Sequence, residues 1–123
     1  MGFSNALSDH NRSFGNCDDS GERSGAGKGF WTRRWCKHTC AEFAELYRRQ
    51  PASTELISYS WAQGFMSALN LMQGALHKPP HDLNAWSTSD QESHIRGYCR
   101  DNPLAYFVEA VKHLFDELPE ISK

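Results

Sequence analysis

From residue 40 onward, apolar side chains recur at intervals of three and four, the spacing that lines one face of an α-helix. Thr39 and Glu42 stand ahead of the first such run as an S/T-x-x-E capping box. A helix is therefore predicted over Cys40–Arg49, with Cys40, Phe43, Ala44 and Tyr47 on its inner face. Pro51 ends it. Ser53 or Thr54 caps a longer second helix that runs to about Gly74, with Ile57, Trp61, Phe65, Leu69 and Met72 as its inner stripe. Beside that stripe lie Ser60, Gly64 and Ala68. Glycine in mid-helix costs up to ~1 kcal/mol against alanine, so Gly64 is read as a place where another helix or ring comes close. Ser89-Asp90-Gln91-Glu92 is a second capping box and opens a third helix that turns Ile95, Tyr98 and Cys99 inward. Asn102-Pro103 reads as an N-cap followed by proline at the first helical position. It opens a fourth helix to about Leu118, burying Leu104, Phe107, Val111, Leu114, Phe115 and Leu118.

The fold expected is all-α: a small four-helix domain over residues 36–123, preceded by a flexible polar tail over residues 1–35. The tail is rich in Gly, Ser, Asn and Asp and has no periodicity. Its segment from Gly21 to Gly29 approaches a phosphate loop. It fails because Glu22 stands where the first glycine belongs and Gly29 replaces the Ser or Thr that would hold magnesium. Between helices two and three, Pro79-Pro80 makes a rigid loop. His77 and His81, four apart within it, cannot share a helix face and are expected to be exposed.

Composition narrows the function classes. The 123 residues carry a net charge of −2, with 13 basic against 15 acidic side chains, so nothing suggests nucleic acid. No apolar run approaches the ~18 residues needed to cross a bilayer. The serines lack a nucleophile-elbow context and no cysteine has an activating triad, so neither an enzyme nor a bound cofactor is expected. Four cysteines, Cys17, Cys36, Cys40 and Cys99, leave two readings open. They are unrelated thiols, or Cys36-x-His38-x-Cys40 holds zinc, although no second ligand pair completes such a site. Cys17 reads as a bystander in the tail.

Thr39-Cys40-Ala41-Glu42-Phe43 resembles the first-cysteine motif of the HdeA/HdeB family of periplasmic acid-stress chaperones. Cys99-Arg100-Asp101-Asn102-Pro103, followed by Phe107 and Val111, resembles its second. The resemblance spans roughly residues 36–118 and is carried by its two ends; the central Trp61-Ala62-Gln63-Gly64-Phe65 is similar to uncharacterised relatives. It implies a single disulfide between Cys40 and Cys99, which in the chain-entropy model stabilises the fold by roughly 4 kcal/mol. It also implies a homodimer at neutral pH that separates in strong acid and binds unfolded client proteins without ATP. The location implied is the periplasm, whereas residues 1–35 contain no apolar stretch of the ~7–15 residues found in a signal peptide.

Charge is compatible with such a mechanism. Beyond residue 35 there are 11 acidic and 8 basic side chains and five histidines. At pH ~2 their sum swings from slightly negative to strongly positive. Ile57, Trp61, Phe65 and Leu69 are the candidate client or dimer surface. The alternative is a small secreted helical binding protein, of immunity or inhibitor type, that acts on one specific partner and contacts it through the Pro79-Pro80 loop.

Overall fold

A computed structural model describes residues 35–122; the expected polar tail, with Cys17, lies outside the described residues apart from Trp35. A 3₁₀ turn, Trp35–Lys37, leads into α1 (Cys40–Arg49), α2 (Pro51–Ala75), α3 (Thr88–Asp101) and α4 (Phe107–Glu117). No strand occurs among the described residues, only two isolated bridges, Thr39 with Tyr106 and His81 with Glu120. The architecture is the all-α four-helix domain that the periodicity predicts.

The opening of α1 is specified by short-range chemistry. Thr39 Oγ1 accepts from the Glu42 backbone N–H at 3.1 Å, and the Glu42 carboxylate accepts from the Thr39 N–H at 2.9 Å. Two further N–H groups of this first turn, on Cys40 and Ala41, would be orphans of any helix start. They donate to the carbonyls of Ala105 (2.7 Å) and Pro103 (3.0 Å). This explains why α4 starts at Phe107 and not, as the Asn102-Pro103 signal suggests, at Pro103. The carbonyls of Pro103 and Ala105 are turned outward to cap α1, so residues 102–105 form a turn, and Asn102 closes α3 instead of opening α4. Leu104, expected inside, sits on that turn and is 89% exposed. α3 begins two residues earlier than expected, with Ser87 and not Ser89 as its cap, accepting from the Asp90 N–H at 3.0 Å.

Cys40 and Cys99 are joined in a disulfide, with Cα atoms 4.8 Å apart and 59 positions between them in sequence. The bond ties the first turn of α1 to the last turn of α3. Around it lies an aromatic cluster: Phe43 and Phe107 rings sit 4.8 Å apart, and Trp35 lies 5.0 Å from Phe107 and 5.9 Å from Phe43. Trp35 was expected to end the tail; it is fully buried and belongs to the core. Ala110, Val111, Leu114, Phe115 and Leu118 of the α4 segment complete that core with Ile95 of α3. Rings at such separations add about 0.5–1.5 kcal/mol per pair beyond their area.

α2 is rotated from its expected setting. Its fully buried residues are Thr54, Ser58, Ala62 and Met66, and the expected inner stripe of Ile57, Trp61, Phe65 and Leu69 is only partly buried against the core. Small side chains on the inward line let α2 sit close to α1 and α4, which pushes the bulky stripe to the seam. Met72 is 39% exposed. Gly64 faces open space: among the described residues nothing lies within 4 Å of where a Cβ would stand.

Candidate partner-binding surface

The bulky stripe of α2 forms a continuous apolar edge. Trp61 and Phe65 stack with centroids 5.2 Å apart and planes 9° from parallel, and Trp61 reaches Phe107 of α4 at 6.0 Å. Ile57 and Leu69 extend the edge by one turn in each direction. α2 has 25 residues, about 37 Å at ~1.5 Å per residue. Beyond Met66 it buries no residue fully. Leu71 (78% exposed), Leu76 (60%) and Met72 therefore continue the apolar character into solvent, and Leu56 (69%) does so near its start. The four predicted surface residues thus share one helix edge and are each in contact with the core, while the more exposed Leu56, Leu71 and Leu76 beside them are residues that the sequence pattern does not single out.

The loop after α2 is held by buried polar groups. The Asn70 side chain donates to the His81 carbonyl at 2.9 Å and accepts the His81 N–H at 2.8 Å. The His81 ring lies against Phe115 at 4.1 Å, and its Nδ1–H donates to the Phe115 carbonyl at 2.7 Å. His81, expected to be exposed, is only 8% exposed, because the loop folds back on α4 and brings this side chain to the Phe115 carbonyl, which also accepts the Leu118 N–H at 3.2 Å. Gln91, at the start of α3, is buried in the same manner and donates to the carbonyls of Leu83 (2.8 Å) and Trp86 (2.9 Å).

Two ionisable groupings flank α3. On one side, His94 Nε2 lies 2.9 Å from His113 Nδ1 of α4, with ring planes 18° apart and centroids 5.1 Å apart. That nitrogen separation is closer than face-to-face rings allow, so the imidazoles lie end to end and one N–H donates to the other nitrogen. The Trp86 and His94 rings meet edge to face with centroids 5.5 Å apart, and Tyr98 lies 4.9 Å from His113. Partial burial, then the facing His113 charge, lowers the His94 pKa; Glu117 opposes this. On the other side, Arg96 donates to Glu55 of α2 at 2.6 Å and lies over the Tyr47 ring at 5.1 Å. Glu92 on the same side has its pKa raised, first by burial and then by the hydrogen bond and charge of Glu55, with Arg96 opposing.

The zinc reading is overturned. Cys40 is bonded to Cys99 and Cys36 is disulfide-bonded as well, so neither offers a thiolate. Among the described residues no three His, Cys, Asp or Glu side chains gather closely enough to hold a metal ion. The His94–His113 pair escaped the sequence reading because its members lie 19 positions apart on different helices. The available signal was that each stands beside a predicted core position, Ile95 and Leu114, on helices joined by a short turn. No helix of the described residues is long and apolar enough to cross a membrane. No family model matches this chain, and neither a curated protein nor a solved structure matches it.

Proposed function

We propose that this protein is an ATP-independent chaperone of the acid-stress type, which holds unfolding clients on apolar helix surface made available at low pH. The single observation that carries the reading is the His94–His113 hydrogen bond across the α3–α4 seam. The bond survives in the neutral and singly protonated pair, but two protons place N–H against N–H and replace attraction with repulsion. Loosening that seam frees the inner face of α4, where Phe107, Val111 and Leu114 are fully buried at neutral pH. The Cys40–Cys99 bridge keeps the loosened chain from expanding fully, so exposed apolar surface stays clustered. Ile57, Trp61, Phe65 and Leu69 serve as the client surface in acid and as the homodimer contact at neutral pH. The disulfide suits an oxidising compartment, and the periplasm is the proposed location.

Light scattering of aggregating, unrelated clients tests this. Suppression at pH 2–3 but not at pH 7, with weaker suppression by Trp61→Ala, is expected. Equal activity at both pH values, or none at either, overturns the reading. A second reading, a binder of one specific partner at neutral pH, draws on the rigidity of the Pro79-Pro80 loop. Its carbonyls accept from the Gln73 side chain (3.4 Å) and from the Ile121 N–H (2.8 Å), so it is a preformed contact surface.

A further inference from the structure

A hollow of about 500 Å³ opens between α1 and α3, away from the α2 edge. That volume falls within the ~300–1,000 Å³ of small-molecule sites. Its accessible wall is apolar: Ala41, Ala44, Tyr47 and Pro103 face it, above the buried Cys40–Cys99 disulfide and Phe43. Its rim is cationic, with Arg48, Arg96 and Arg100 against the single carboxylate of Glu45. The three guanidiniums differ in freedom. Arg96 is fixed by Glu55 and by the Tyr47 ring. Arg48 and Arg100 have side chains 67% and 75% exposed, and each meets only a surface carboxylate, Glu45 and Asp101 respectively. Exposed ion pairs of that kind are worth about 0–1 kcal/mol, so either arginine can exchange its partner for a ligand at little cost.

We infer that this hollow binds a free single-chain amphiphile with an anionic head, its tail against Ala44, Tyr47 and Pro103 and its head between Arg48 and Arg100. Charge complementarity selects the occupant: a cationic or uncharged amphiphile would cover the same wall but leave the guanidinium rim without a gain. Arginine forks match carboxylate and phosphate oxygens in pairs, which favours a compact oxyanion head over a diffuse one. The site is built at neutral pH from α1 and α3 and makes no use of the α2 edge or the histidine pair, so it stands or falls apart from the chaperone reading.

The test is calorimetric titration of the oxidised full-length chain with dodecanoate, below its micelle concentration, at pH 7.5. Dodecyltrimethylammonium, acetate and vesicles of anionic phospholipid are run in parallel. Saturable one-to-one binding of dodecanoate is expected, with none of the three controls reproducing it. The Arg48→Ala/Arg100→Ala double variant, whose changes are at exposed positions, is expected to bind at least ten-fold more weakly with unchanged helicity. Methyl NMR shifts on adding dodecanoate should centre on Ala41 and Ala44. Equal binding of the cationic amphiphile, binding to vesicles only, unchanged affinity in the double variant, or shifts centred on the α2 edge would each overturn the proposal.

Discussion

The two ends of the helical array are fastened by different physics. At one end, the starts of α1 and α4 and the finish of α3 meet at the Cys40–Cys99 bond, with Trp35, Phe43 and Phe107 packed beside it. At the other, the loop after α2 is held by Asn70, His81 and Gln91, polar side chains that reach backbone carbonyls. The first end draws on covalent loop closure and area burial, neither of which depends on angle. The second depends on hydrogen-bond geometry, where a lost partner leaves a buried group stranded. Both ends are closed, but they should fail differently.

The largest expected effect comes from the covalent end. Replacing both members of the bridge, Cys40→Ala with Cys99→Ala, should cost roughly 4 kcal/mol by loop-closure entropy. The urea unfolding midpoint should fall accordingly at unchanged pH. Mutation is preferable to reductant because Cys36 is disulfide-bonded too, and reduction would change both bonds at once. A loss below ~1 kcal/mol would mean that the aromatic cluster alone closes this end.

The polar end should yield next. Asn70→Ala removes two hydrogen bonds to His81, each worth ~1 kcal/mol net, and leaves the His81 N–H and carbonyl without those partners. A total cost of about 2–3 kcal/mol is expected. Amide exchange should locate it. The Asp82 and Ile121 N–H groups, bonded to Pro119 and Pro80 carbonyls, should lose protection, while those of Cys40 and Phe107 keep theirs.

This contrast also explains what the sequence made legible. The capping box of α1, the apolar repeat of α4 from Phe107 to Leu118 and the helical class are local signals, written within three or four residues. The bridge became readable through two short motifs at its ends. Asn70, His81 and Gln91 carried no such mark, since a polar residue reads as exposed until the carbonyl that it serves has been placed. The rotation of α2 was missed for a related reason. Hydrophobicity favoured Ile57, Trp61 and Phe65, whereas close approach by α1 and α4 selected the smaller line of Thr54, Ser58 and Ala62. Leu104 followed the helical period correctly but lies on a turn whose carbonyls were required elsewhere.

Gly64 separates folding from association. Its absent side chain would meet nothing among the described residues, so Gly64→Ala should stabilise the folded monomer by up to ~1 kcal/mol through helix propensity. If α2 edges meet in a homodimer, the added methyl falls beside the contact. Sedimentation at neutral pH should then show weaker association despite a higher unfolding midpoint. A rise in both would remove the α2 edge from the dimer.

The smallest effect lies in α3, whose two sides answer acid in opposite senses. The His94 pKa is depressed below the ordinary 6.5 by burial and by His113, so the unfolded chain takes up that proton first. Its contribution to stability is complete above about pH 6.5 and is lost as pH falls through the folded-state value. Glu92 is the reverse. Burial and Glu55 raise its pKa above the ordinary 4.5, so the folded chain holds the proton longer. That contribution is complete below pH 4.5 and is lost as pH rises through the folded-state value. Going from pH 7.5 to pH 5, wild-type protein should lose stability at the His94 seam while regaining part of it at Glu92. His94→Gln should flatten the loss, and Glu92→Gln should raise stability at neutral pH and remove the gain. Urea midpoints of the three proteins at both pH values measure this, and NMR titration of His94 in a His113→Gln background should show its pKa moving upward. If His94→Gln leaves the pH profile unchanged, the imidazole pair does not govern how the seam responds to acid, and the chaperone reading loses the observation that carries it.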